Sequence, residues 1–161
     1  MGARDVGAAC RDGPMPVSVA EVREVIKRIA HAVYYEIEYR ADVARSRRAS
    51  SDVWSLPSVV RARGWGDCDD MTNLANDDLL IALPELRMAM VVGTVPVRTG
   101  EGGHAWSEIE YPDGLGVDWF DATWGRGADP PSVWRRSGRL PHSRRRYTRE
   151  DGLGPREDYV D

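Results

Sequence analysis

The chain has 161 residues, of which 42% are hydrophobic, and its formal net charge at pH 7 is -4. This length and apolar fraction suit one domain whose core is large enough to fold alone. Residues 1–16 carry charged side chains and no continuous apolar run, which argues against a secretory signal or a membrane span. The sequence therefore predicts a cytoplasmic protein with a flexible N-terminus before a domain over residues 17–125.

Two helices are predicted in the first half of the chain. Ser18 and Glu21 form a capping-box pattern, and apolar residues then recur at helical spacing, so the first helix is expected over about residues 19–40. Apolar positions between Asp69 and Leu83 predict the second helix, which ends before a proline. Cys68 would lie at the N-terminus of this second helix.

Strands are predicted after the second helix. The apolar run within residues 86–97 is typical of a buried strand. His104–Tyr111 and Val117–Trp124 flank the turn sequence Pro-Asp-Gly-Leu-Gly and predict a β-hairpin. Helices followed by strands indicate a small α+β fold.

The C-terminal residues 126–161 are rich in Arg, Pro and Gly and show no periodicity, so they are predicted to be an irregular extension. Basic stretches can bind nucleic acid or acidic partners. Here, however, Lys27 is the only lysine among 22 basic residues, which makes arginine the ordinary cation of the chain. No aromatic ladder or known nucleic-acid module accompanies the stretch, so specific nucleic-acid binding is not expected.

The two cysteines, Cys10 and Cys68, lie far apart in dissimilar contexts, so no disulfide is expected and Cys68 is predicted to be a free thiol. Cysteine catalysis requires a thiolate, an imidazole that moves its proton and a group that orients the imidazole. The dipole at a helix N-terminus would lower the pKa of a cysteine thiol there. In the predicted hairpin His104 lies opposite or nearly opposite Asp121, and Cβ atoms of such neighbours are roughly 5 Å apart. The carboxylate could then hold the imidazole N–H.

Three segments occur in a characteristic order: "DVWSLPSVVRARGWGDCDDMTNLA", "GGHAWSEI" and "WFDATW". Together, over about residues 52–124, they resemble the papain-like transglutaminase superfamily, and most closely the bacterial transglutaminase-like cysteine proteinases. The resemblance implies a papain-like core in which a helix that begins at the cysteine packs on an antiparallel sheet carrying the His and Asp. By position it makes Cys68 the nucleophile, His104 the general acid and base, and Asp121 the orienting carboxylate.

Acidic residues surround the cysteine and disfavour its thiolate, because like charges raise a thiol pKa. Two explanations stay open. Asp67 could cap the helix, with Asp69 and Asp70 in its first turn. Alternatively, the clustered carboxylates could hold a cation, and their oxygens suit calcium. Some proteinases of the resembled family bind calcium through the acids beside the cysteine, which implies Asp67 and Asp69 as ligands, although Asp69 stands where that family usually has Glu.

The sequence leaves several functions open. The leading hypothesis is a cysteine peptidase that hydrolyses a peptide or protein amide through a thioester and needs no cofactor for its triad. A transglutaminase or amidase would use the same triad for acyl transfer, and a non-catalytic binding module, of phage or mobile-element type, is the alternative outside enzymes. No Cys-x-x-Cys or His-Glu-x-x-His pattern supports a zinc site. Trp65 and Trp106 are candidate walls of a substrate groove, and the oligomeric state is not predicted.

Overall fold

The computed structural model describes residues 18–41, 54–98, 100–138, 141, 143–148 and 159–160. The helices within these residues are α1 (Val19–Glu36), α2 (Pro57–Arg63), α3 (Cys68–Ala82) and α4 (Pro131–Arg136). The strands are β1 (Glu38–Tyr39), β2 (Trp54–Ser55), β3 (Trp65–Gly66), β4 (Arg87–Val97), β5 (Gly100–Glu110), β6 (Val117–Phe120), β7 (Ser143–Thr148) and β8 (Tyr159–Val160). The N-terminal segment predicted to be flexible lies outside the described residues, as does Cys10.

Helix α1 begins at the predicted capping box. The backbone N–H of Glu21 donates to Ser18 Oγ at 3.3 Å, and the backbone N–H of Ser18 donates to Glu21 Oε2 at 2.8 Å. The helix ends at Glu36 rather than near residue 40, because Ile37 turns into extended backbone and the next two residues form β1. Strand β1 pairs in parallel with β3, just before the proposed nucleophile.

The main sheet has the strand order β6-β5-β4-β7 and is antiparallel throughout. Strands β4 and β5 form a long hairpin that pairs from Arg87↔Glu110 to Val97↔Gly100. The predicted strand over residues 86–97 is therefore confirmed, and β5 extends further toward its N-terminus than predicted. The two short pairs, β1 with β3 and β2 with β8, lie outside this sheet.

Both faces of the sheet are covered. Helix α3 packs against β4 and β5, and α1 packs against α3. The core on this side includes Ile26, Leu74, Leu79, Ile109 and Phe120, each at most 1% exposed. A second cluster contains Val91, Val95, Trp106, Trp119 and Trp134. Burying each such side chain contributes roughly 1.5–3 kcal/mol, so both layers fix the position of β5.

The prediction that residues 126–161 are irregular is wrong at two places. Residues 131–136 form α4, which buries Trp134 to 3% exposure, and residues 143–148 form β7 along the edge of β4. A helix this short shows almost no periodicity, and an edge strand is held by backbone hydrogen bonds that its side chains do not reveal. Among the described residues, no helix has the length and apolar character needed to span a membrane.

Candidate active site

Cys68 is the first residue of α3, as predicted, and its thiol is free. The start of α3 rests against β5 at Ala105, whose backbone hydrogen-bonds to Cys68, while Thr72 Oγ1 donates to the Ala105 carbonyl at 3.3 Å. Strand β6 pairs with β5 only as far as Ser107↔Phe120. The backbone of Ala105 is therefore not paired with β6 and can contact α3. The thiol therefore lies against the residue that follows His104.

His104 and Asp121 form a direct pair. The distance between His104 Nε2 and Asp121 Oδ2 is 2.5 Å, and Asp121 is 2% exposed. The other carboxylate oxygen, Oδ1, accepts from the backbone N–H of Thr123 at 2.9 Å and from its hydroxyl at 2.6 Å. Asp121 is thus held from one side while it holds the imidazole from the other, which fixes the orientation of the ring.

The hairpin that brings this pair together has a different register from the predicted one. The observed pair Ser107↔Phe120, continued outward, would set His104 opposite Thr123, two residues beyond Asp121. A turn with a 3₁₀ segment at Pro112–Gly114 causes this offset. Side chains of a strand alternate between the two faces of the sheet, so a shift of two residues leaves His104 and Asp121 on the same face. The two side chains therefore still meet, as diagonal neighbours and not as a directly opposed pair.

Two residues of this site were not assigned a role from the sequence. Thr123 anchors Asp121, and the ring of Trp124 stacks on His104 with centroids 5.7 Å apart and an angle of 19°. The signal for Thr123 is the sequence Asp-Ala-Thr, since Asp side chains often accept the backbone N–H two residues later.

The environment of the thiol opposes ionisation. Burial raises the pKa of the Cys68 thiol well above its ordinary value, and the negative charges of Asp67 and Asp69 raise that pKa further. The hydrogen bond from the Ala105 backbone acts in the opposite direction but is outweighed. A thiolate at this position needs positive charge close to it.

The three acids around the cysteine are buried together: one oxygen each of Asp67, Asp69 and Asp70 lie within 4.8 Å of one another. Asp67 occupies the N-cap position, but its side chain makes no capping hydrogen bond, so the predicted capping role of that carboxylate is wrong. Its backbone is extended (φ -102°, ψ -159°), as is usual at an N-cap. Within the described part of the chain, its Oδ1 is buried without a hydrogen-bond partner. Asp69 Oδ1 instead accepts the backbone N–H of Asp70 at 2.7 Å.

This cluster fits a hard cation. A buried carboxylate oxygen without a hydrogen bond costs on the order of 1–3 kcal/mol, which a bound cation would remove. Burial, together with the Asp67 carboxylate, raises the pKa of Asp69, as expected where carboxylates share a buried site. Asp70 is partly satisfied, because it accepts the Ser55 backbone N–H at 3.0 Å and forms an ion pair with Arg63. Asp67 and Asp69 are thus the main candidate ligands, with Asp70 completing the cluster.

The two tryptophans suggested as groove walls differ in position. Trp106 is 0% exposed within the second core cluster, so it does not line a groove, and the prediction for this residue is wrong. Its side chain alternates onto the sheet face that α4 covers, and α4 was not predicted. Trp65 is partly exposed, and the guanidinium of Arg63 lies 4.1 Å from its ring centroid.

Solved structures of similar shape were found for this fold. Two structures of LapG from Legionella pneumophila superpose with TM-scores of 0.55, at 16% and 17% sequence identity. The fold resembles that of LapG. The alignments cover 81% and 83% of this chain, and 69% and 74% of the LapG chains, and the 16% match is an EGTA-treated LapG. No family model matched the sequence, and the search of curated proteins found no match. Identity this low supports a common fold with LapG and the expected mixture of helix and sheet.

Proposed function

We propose that the protein is a cysteine peptidase that hydrolyses a peptide or protein amide through Cys68, His104 and Asp121. The observation that carries this proposal is the 2.5 Å contact between His104 Nε2 and Asp121 Oδ2, together with a free thiol at the start of α3, the helix that packs on β5. LapG, a transglutaminase-like cysteine protease, shares the fold and adds support at the level of the superfamily.

The proposed reaction follows from the roles these groups can take. Asp121 holds the proton on His104 Nε2, so that Nδ1 can accept the proton of the Cys68 thiol. The thiolate attacks the amide carbonyl, and His104 returns the proton to the amine as the carbon–nitrogen bond breaks. Water, deprotonated by His104, then cleaves the thioester to give the free acid and the starting thiol. The backbone N–H of Cys68 has no intrahelical acceptor and is a candidate donor to the oxyanion.

A peptide library derived from a digested proteome tests the proposed hydrolysis. We expect the wild-type protein to produce new peptide N-termini that share a sequence preference. The Cys68→Ala variant should produce none above background, because it lacks the nucleophile. Equal cleavage by both proteins would contradict the proposal, as would the absence of cleavage by a folded wild-type protein supplied with calcium.

We also propose that Asp67, Asp69 and Asp70 bind calcium beside the nucleophile. The support is a buried cluster of three carboxylates in which Asp67 Oδ1 has no hydrogen-bond partner among the described residues. LapG has been studied after treatment with EGTA, a calcium chelator, which agrees with this proposal. When bound, the cation would supply positive charge that offsets the carboxylates facing the thiol.

Thermal melts with calcium and with EGTA test the cation site. At a calcium concentration of 100 Kd, a site present only in the folded state adds about 2.7 kcal/mol, which raises Tm by about 5 °C or more in a chain of this size. Asp67→Asn should remove most of this shift. Asp77→Asn, on the same helix but outside the cluster, should retain it. A Tm that is the same in calcium and in EGTA for the wild-type protein would refute the calcium site.

A further inference from the structure

An open cavity of about 490 Å³ lies beside the proposed triad. Of the described residues, those that line it are Tyr34, Thr123, Trp124, Arg126 and Ser137. Two of them contact the triad directly, because Thr123 holds Asp121 and Trp124 stacks on His104. A group bound in the cavity would therefore lie one side chain away from the imidazole, and the volume falls within the roughly 300–1,000 Å³ of ligand sites.

The loop that forms part of the cavity wall packs closely against α1. Gly125 adopts φ +58°, and a Cβ at this position would lie only 2.8 Å from Cγ of Tyr34, so the loop after Asp121 is in close contact with α1. Two residues later, Gly127 is also close to α1, since a Cβ at this position would lie 3.1 Å from Cβ of Lys27. The loop that carries Thr123 and Trp124 is thus seated on α1, and the cavity is preformed.

The chemistry of the lining is aromatic and positive. Tyr34 is 45% exposed and Trp124 is partly exposed, and together they offer ring surface to an aliphatic stem. Arg126 is exposed and, within the described part of the chain, forms no ion pair. No acidic side chain lines the cavity among the residues that the structure describes, and the nearby carboxylate of Asp121 is occupied by His104 and Thr123. The lining therefore complements a group with a short carbon stem and a negative end.

We propose that this cavity is a substrate subsite that binds an aspartate or glutamate side chain of the peptide, with Arg126 pairing with the carboxylate. This inference rests on the proposed peptidase function, because it takes the peptide to cross the site at Cys68. The planar guanidinium of an arginine can donate two parallel hydrogen bonds to a carboxylate. Arg126 is a specificity-determining residue in this account and takes no part in bond breaking.

Affinity selection with an inactive protein tests the subsite without requiring catalysis. Cys68→Ala protein is incubated with a library of random hexapeptides, acetylated at the N-terminus and amidated at the C-terminus, and bound peptides are sequenced by mass spectrometry. We expect Asp and Glu to be enriched about fivefold over Asn and Gln, the size expected for a partly exposed ion pair. Adding Arg126→Glu should abolish this enrichment, and adding Arg126→Gln should reduce it. Adding Arg28→Glu, an equal charge change at an exposed position of α1, should leave it unchanged.

Equal recovery of acidic and amide peptides would overturn the subsite, and so would an enrichment that persists with Arg126→Glu in a protein of unchanged Tm. A second library with free C-terminal carboxylates separates the two sources of negative charge. Selection of the terminal carboxylate alone would overturn the assignment to a side chain. Digestion of the same libraries by the wild-type protein reports on the peptidase function separately, so the two proposals can fail independently.

Discussion

Replacing His104 with alanine should lower kcat/KM for peptide hydrolysis by about 10³-fold or more. It should also lower the free energy of unfolding by about 1–3 kcal/mol, because the buried Asp121 Oδ2 loses its hydrogen-bond partner. The thiol of Cys68 is buried among carboxylates that raise its pKa, so it depends on the imidazole to accept its proton. The same change removes the proton donor to the leaving amine. Both losses act on the transition state, so kcat should fall more than KM changes.

The matched control for this variant is His31→Ala. His31 is exposed on α1, and its ring contacts that of Tyr35, with ring centroids 4.5 Å apart. It carries the same imidazole as His104 but lies outside the proposed triad. We expect wild-type kcat/KM for this control. If His104→Ala and His31→Ala hydrolyse peptides at the same rate, His104 is not the general acid and base.

Asp121→Asn should lower kcat/KM by roughly 10²–10⁴-fold, the range seen when the orienting carboxylate of a triad is lost. Asparagine has the size of aspartate and can still accept the N–H of Thr123 through its amide oxygen. Its amide NH₂ would then face His104 Nε2, which favours the tautomer with the proton on Nδ1. The imidazole could no longer accept the thiol proton, although the local structure would be kept.

Two further measurements show that the Asp121→Asn effect is local. Its near-UV circular dichroism should match that of the wild-type protein, since Trp124 still stacks beside the ring. Asp129→Asn is the matched control, because Asp129 pairs with Trp119 through backbone hydrogen bonds of 2.8 and 2.9 Å that the substitution leaves intact. If Asp121→Asn retains wild-type kcat/KM, the carboxylate does not orient the imidazole.

The proposed triad could be predicted because each residue has a local signal. The capping box and the apolar spacing of α1, and the position of Cys68 before the apolar residues of α3, define the helices. The turn sequence before Val117 defines the hairpin. A register error of an even number of residues leaves His104 and Asp121 on the same face of the sheet, so the predicted contact did not require the correct register. The structure adds the anchoring of Asp121 by Thr123, which depends on the turn that follows β6.

Other features could not be predicted because they depend on tertiary contacts. Trp106 alternates onto the face covered by α4, and the short sequence of α4 gives no helical pattern of its own. Strand β7 is a strand because β4 offers an unpaired edge. The missing capping hydrogen bond of Asp67 could not be predicted, because its residue type and position suit an N-cap and the burial of the three acids together arises only in the fold.

The central claim is that Cys68 is a nucleophile activated by His104, and capture with a peptide-like vinyl sulfone tests it most directly. Tandem mass spectrometry, in the presence of calcium near neutral pH, gives the rate of adduct formation at Cys68. We predict that Cys68 reacts at least 100-fold faster than glutathione under the same conditions, and that His104→Ala removes most of this advantage while His31→Ala does not. A Cys68 that reacts no faster than glutathione in the folded wild-type protein would contradict the account.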